Sequence, residues 1–134
     1  MEALAEKLGL LNTFVFFIGM KLKNELAQIL RDADFFVLFS NYENLPCVLI
    51  ESLACGIPVI TTNTGGITEH ISKEMGIVIE PKDELALESA INTMLDNHQK
   101  YDSSYLNKYA ADHFSYRTVG LQFQKIYNTV LKND

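Results

Sequence analysis

Two carboxylates, Glu43 and Glu51, stand with seven residues between them in the stretch SNYENLPCVLIESLACGIPVIT, residues 40 to 61. Glu51 interrupts PCVLIESLACG, which otherwise reads as a buried helix. The positions three and four away from it hold Cys47, Val48, Ala54 and Cys55, none of which can pair with a carboxylate. An isolated helical Glu more often lies on a solvated strip or bonds a backbone N–H. Its surroundings point elsewhere. Pro46 opens the helix, the segment Asn44-Leu45-Pro46 makes a tight turn into it, and the free N–H groups and dipole of a helix start form an anion site. A phosphate resting there would have Glu43 on one side and Glu51 on the other, about 7 Å along the helix from Pro46. Two acceptor-only groups flanking a phosphate call for a ligand with hydroxyls on both sides of it. A sugar nucleotide is such a ligand.

The elements that must hold these groups alternate. Residues 2 to 10 read as a helix, FVFFIG (14 to 19) as a strand, and KNELAQILRDA (23 to 33) as a helix with Leu26, Ile29, Leu30 and Ala33 on one face. DFFVLFS (34 to 40), PVITT (58 to 62) and GIVIE (76 to 80) read as further strands. Pro46 is expected as the first helical residue, and Gly56 as a left-handed cap with Pro58 blocking continuation. A short helix is expected from about Thr68, a well-patterned one over KDELALESAINTMLDN after Pro81, and two more close the chain. This order predicts one α/β domain over residues 1 to 134, with a parallel, doubly wound, Rossmann-like sheet whose strands are apolar throughout because helices cover both faces. Ligands in such folds bind beyond the carboxyl ends of the strands, where Gly19-Met20-Lys21, Asn41 to Leu45 and Thr62 to Gly66 fall. Neither a dinucleotide fingerprint nor a P-loop occurs there.

Composition narrows the function classes. The 134 residues carry a formal charge of −6 and no run of Lys or Arg, which argues against nucleic acid as a partner. No apolar run is long enough to span a bilayer, and the acidic start MEALAEKLGLLN does not resemble a signal peptide, so the chain reads as cytoplasmic. Cys47 and Cys55 share one short helix without Zn spacing or disulfide reach, and His70, His98 and His113 are scattered. No metal site is expected.

The spacing E-x7-E from Glu43 to Glu51, followed by CGIPVI and GGITE, resembles the donor-binding half of family 4 retaining glycosyltransferases of the two-domain GT-B fold, group 1 type. The similarity runs from LAEKLGL and FVFFIG through GIVIEPKDELALESAINTML to HFSYRTVGLQFQKIY. The resemblance implies that Glu43 is the catalytic carboxylate, contacting hydroxyls of the transferred sugar, and that Glu51 binds the nucleotide ribose. The backbone of Asn44, Leu45, Pro46, Cys47 and Val48 would hold sugar and diphosphate, with Gly19, Met20 and Lys21 bordering the base. Gly65 and Gly66 either allow close backbone approach to the donor or form a turn needing positive φ. The implied ligand is a UDP- or GDP-linked sugar, and the implied chemistry needs no metal or other cofactor, because basic residues and a helix N-terminus stabilise the diphosphate leaving group.

The sequence departs from the family in two ways. Asn44 stands where the family usually has Gly, and Asn tolerates unusual backbone angles better than most residues. The family also has two strands before FVFFIG, a loop with an Arg and a Lys for the diphosphate, and an acceptor-binding N-terminal domain. The resemblance therefore casts this chain as part of a longer enzyme, peripheral to the inner face of the membrane and active in cell-surface polysaccharide or glycolipid synthesis. By itself it is expected to be inactive. FVFFIG should then either dock beside DFFVLFS or leave an apolar sheet edge open to self-association. A non-catalytic binding module that keeps the fold is the alternative, and a sugar-nucleotide epimerase fits the motifs less well.

Overall fold

The computed structural model of the chain describes residues 1–131. Helices α1 (Glu2–Lys7) and α2 (Lys23–Arg31) precede strand β1 (Phe36–Leu38). Then come α3 (Cys47–Ala54), β2 (Val59–Thr62), α4 (Ile67–His70) and β3 (Gly76–Ile79). Helices α5 (Glu84–Asn97), α6 (Ser103–Phe114) and α7 (Tyr116–Leu131) follow. The strands form a parallel sheet in the order β1-β2-β3, with Val37 opposite Ile60 and Ile60 opposite Ile77.

Strand β2 occupies the centre, and all four of its residues are buried. Alternation along a strand sends neighbouring side chains to opposite faces. Val59 accordingly packs with Leu49 and Leu53 of α3 and Leu106 and Ala110 of α6, whereas Ile60 packs with Ala90 and Met94 of α5. Helices thus cover both faces of the sheet, as the unbroken apolar run predicts. Each large side chain so buried contributes about 1.5–3 kcal/mol.

Local chemistry sets the helix starts. Asp83 Oδ1 accepts from the Ala86 N–H at 2.8 Å, which begins α5 and brings Leu87, Ala90, Ile91 and Met94 onto one face. Asp102 Oδ1 does the same for α6, accepting from Ser104 and Tyr105. Pro46 falls one position earlier than expected: it is the residue before α3, in extended conformation, and Cys47 is the first helical residue. Gly56 has the expected left-handed backbone, φ +79°, and a side chain there would meet Ser103 Cβ at 3.0 Å.

The expectation of a strand at FVFFIG is corrected. Residues 10 to 15 form a turn with a single bridge between Leu11 and Val15, and no ladder continues beyond it. Phe14, Phe16, Phe17 and Ile18 are exposed. A strand exists only by pairing its N–H and C=O groups with a neighbour, and β1, the edge of the described sheet, pairs with β2 alone. Of the two outcomes foreseen for this segment, docking beside β1 does not occur and the apolar edge is left open.

Candidate functional site

The loops after β1 and β2 meet at the carboxyl end of the sheet. Thr62, the last residue of β2 and fully buried, donates its hydroxyl to the Ser40 carbonyl at 2.7 Å. The Ser40 hydroxyl in turn donates to Glu43 Oε1 at 3.0 Å. One residue on, the Asn44 carbonyl accepts from the Gly66 N–H at 2.9 Å. Gly65 lies between these bonds at φ +55°, where a Cβ would come within 2.1 Å of the Glu43 carbonyl oxygen and 2.6 Å of that of Asn44. The positive φ of the turn reading is present at Gly65, and what its missing side chain lets approach is the chain's own backbone.

Beyond Glu43 the chain turns through Leu45 and Pro46 into α3. The first helical hydrogen bond is made by the Leu49 N–H to the Pro46 carbonyl at 3.1 Å, and no side chain caps the helix. The amides of Cys47 and Val48 precede that bond, so they remain available to an acceptor. Asn44 and Cys47 are exposed, while Glu43, Leu45, Pro46 and Val48 are half-buried. Their carboxylate, carbonyls and amides all lie at the loop edge where parallel sheets place ligands.

Glu51 sits apart from this cluster. It is half-buried on the side of α3 that faces α2, in a cleft of about 230 Å³ that also has Lys23, Leu26, Arg31 and Cys55 in its walls. Among the described residues no hydrogen bond or ion pair reaches its carboxylate, even with two cations in the same cleft. Gly19, Met20 and Lys21 are exposed, Gly19 at φ +65°, and lead into α2 two residues before Lys23. The structure therefore joins Glu43, Asn44, Gly65 and Gly66 directly, and relates Glu51 to the 19–21 loop only through the start of α2. A larger cleft, about 660 Å³, is lined by Lys73, Tyr101 and Tyr105. It opens at the other end of the sheet, where β3 begins, and contains none of these residues.

Sequence reasoning missed Ser40, Thr62, Lys23 and Arg31. A signal for the first two was present: a Ser three residues before Glu43, and two hydroxyls closing an otherwise apolar buried strand, of which Thr62 finds a partner among the described residues and Thr61 does not.

Residues 1–112 match the family described as "Glycosyl transferases group 1". The chain belongs to this family. Among curated relatives, the putative teichuronic acid biosynthesis glycosyltransferase TuaC of Bacillus subtilis is 34% identical over 105 residues, which is 78% of this chain and 25% of TuaC. The N-acetyl-alpha-D-glucosaminyl L-malate synthase of Bacillus anthracis is 29% identical over 123 residues, 90% of this chain and 32% of that enzyme. In structure, sucrose-phosphate synthase from Thermosynechococcus elongatus superimposes with a TM-score of 0.85 at 28% identity, over 99% of this chain and 34% of that one. HepE of Anabaena, solved in complex with UDP, gives 0.82 at 25% identity over 93% of this chain and 35% of that one. The fold is that of the GT-B glycosyltransferases, and the chain spans about a quarter to a third of the length of these relatives.

Proposed function

We propose that this chain is the donor-binding part of a retaining, family 4 glycosyltransferase that takes a UDP- or GDP-linked sugar and, in the whole enzyme, transfers the sugar to a hydroxyl acceptor in polysaccharide or glycolipid synthesis. The observation that carries this reading is the clamp at the carboxyl end of the sheet: Glu43 is held by Ser40, and Asn44 by Gly66, directly ahead of the uncapped start of α3. In this arrangement Glu43 accepts from hydroxyls of the transferred sugar. The diphosphate lies against the backbone from Asn44 to Val48, where the N–H groups on either side of Pro46, which has none, and the helix dipole favour negative charge. No metal is required for this. The ribose bonds Glu51 in the cleft between α2 and α3, and the base lies toward Gly19, Met20 and Lys21. The complex of HepE with UDP supports a nucleotide ligand for this fold.

The chain by itself is expected to have no transferase turnover. Transfer needs an acceptor hydroxyl positioned for attack, and positioning supplies on the order of 7–11 kcal/mol in well-oriented cases. Nucleotide and nucleotide-sugar titrations followed by NMR test the site independently of turnover. Glu51→Gln is expected to weaken bare nucleotide and nucleotide-sugar alike, by about 1.5–3 kcal/mol for a lost hydrogen bond to a charged group. Glu43→Gln is expected to weaken only the nucleotide-sugar. Exchange of the two effects means the donor lies in the opposite orientation, and normal binding by both variants refutes the site.

A further inference from the structure

Glu43 has two carboxylate oxygens, and only Oε1 is engaged: it accepts from Ser40, while among the described residues no donor reaches Oε2. A serine hydroxyl has one proton, so giving it to Glu43 fixes both the Ser40 rotor and the tilt of the carboxylate. Ser40 is itself held from behind. Thr62 lies on the neighbouring strand, and its buried hydroxyl donates to the Ser40 carbonyl rather than to a group of its own loop. Valine would fill that position with the same shape, so the hydroxyl is what distinguishes Thr62 here. The path from the sheet to the carboxylate is thus two hydrogen bonds, Thr62 to Ser40 and Ser40 to Glu43.

We infer that Thr62 and Ser40 are positioning residues that turn Glu43 so that Oε2 alone faces the ligand, and that they thereby set the preference for a sugar-bearing nucleotide over the bare nucleotide. The inference rests on the role proposed for Glu43. Neither hydroxyl touches the ligand. Removing either frees the carboxylate to rotate, which affects the sugar contact and leaves the diphosphate contacts of α3 unchanged.

The test uses the whole chain and NMR titrations with UDP against UDP-glucose and GDP against GDP-mannose, taking the pair for which the unsubstituted chain prefers the sugar-bearing member more. Because each substitution acts on the sugar contact only through the tilt of the carboxylate, Ser40→Ala and Thr62→Val are expected to reduce that preference about three- to tenfold, the scale of one net hydrogen bond, with bare-nucleotide affinity unchanged. Thr62→Ser, which keeps the hydroxyl, is expected to retain it. Should thermal melts show that Thr62→Val does not fold, Ser40→Ala decides the matter by itself. If Glu43→Gln lowers the preference while Ser40→Ala does not, the positioning role is wrong and the role of Glu43 stands. If Glu43→Gln also leaves it unchanged, or the unsubstituted chain shows no preference with either pair, both fall together.

Discussion

Replacing Gly65 with alanine tests whether the clamp between the two loops is a structural requirement. At φ +55° an L-residue costs about 1–2 kcal/mol relative to glycine. The added Cβ would also stand 2.1 Å from the Glu43 carbonyl oxygen and 2.9 Å from Asn44 Cα, against 3.4 Å for ordinary contact. Both neighbours are backbone, so the loop itself must move away, and forcing a group into a filled space costs about 1–3 kcal/mol. That movement also strains the bond from the Gly66 N–H to the Asn44 carbonyl, worth about 0.5–1.5 kcal/mol. These terms overlap, because displacing the loop relieves the clash by sacrificing the bond, so we expect a net loss of about 2–4 kcal/mol. For a domain of this size that is a fall in Tm of roughly 8–16 °C by calorimetry. Gly120→Ala is the matched control. A Cβ at Gly120 meets nothing within 4 Å, and in the middle of α7 the change should stabilise by about 0.5–1 kcal/mol. A Gly65→Ala protein that melts with the unsubstituted chain and keeps Gly66 N–H protection in hydrogen exchange would refute the reasoning.

Three further outcomes are expected. Leu53→Ala, at a fully buried position between the sheet and α6, should cost about 2.7–5 kcal/mol in denaturant unfolding, and a loss below 1 kcal/mol would mean that the core relaxes around it. Burial raises the Tyr101 and Tyr109 phenols above the ordinary value of 10.0, with the Tyr105 charge adding to the rise at Tyr109. The folded state therefore keeps them neutral: their contribution to stability is complete below pH 10.0 and is lost as the pH rises through the folded values. Tyr101→Phe should flatten that alkaline decline, and an unchanged profile would count against the assignment. The open edge at β1, together with the exposed Phe14, Phe16, Phe17 and Ile18, should make the sedimenting mass of the chain rise with concentration, and Val37→Lys should suppress the rise. A monomer at every concentration would show that the edge is protected.

What the sequence determined are the features whose causes are local. The run VITT between Pro58 and Asn63 could only be a strand covered on both faces, and Gly56 could only be a left-handed cap, since these follow from period, φ and ring geometry. The spacing from Glu43 to Glu51, with CGIPVI and GGITE after it, likewise sufficed for the family, because residues 1–112 carry its pattern in order. Tertiary structure decided what depends on a partner distant in the chain. FVFFIG has strand composition but no strand beside it, so Val15 alone makes a bridge, to Leu11, and residues 16 to 19 take no regular structure. Ser40 reads as the end of a strand until β1 is seen to stop at Leu38 and Thr62, 22 positions away, grips its carbonyl. Glu51, which has no partner within its own helix, gains a setting only when α2 brings Lys23 and Arg31 to the same cleft. A hydrogen bond or a salt bridge is a contact between two groups, and sequence spacing specifies both only when one turn of backbone separates them.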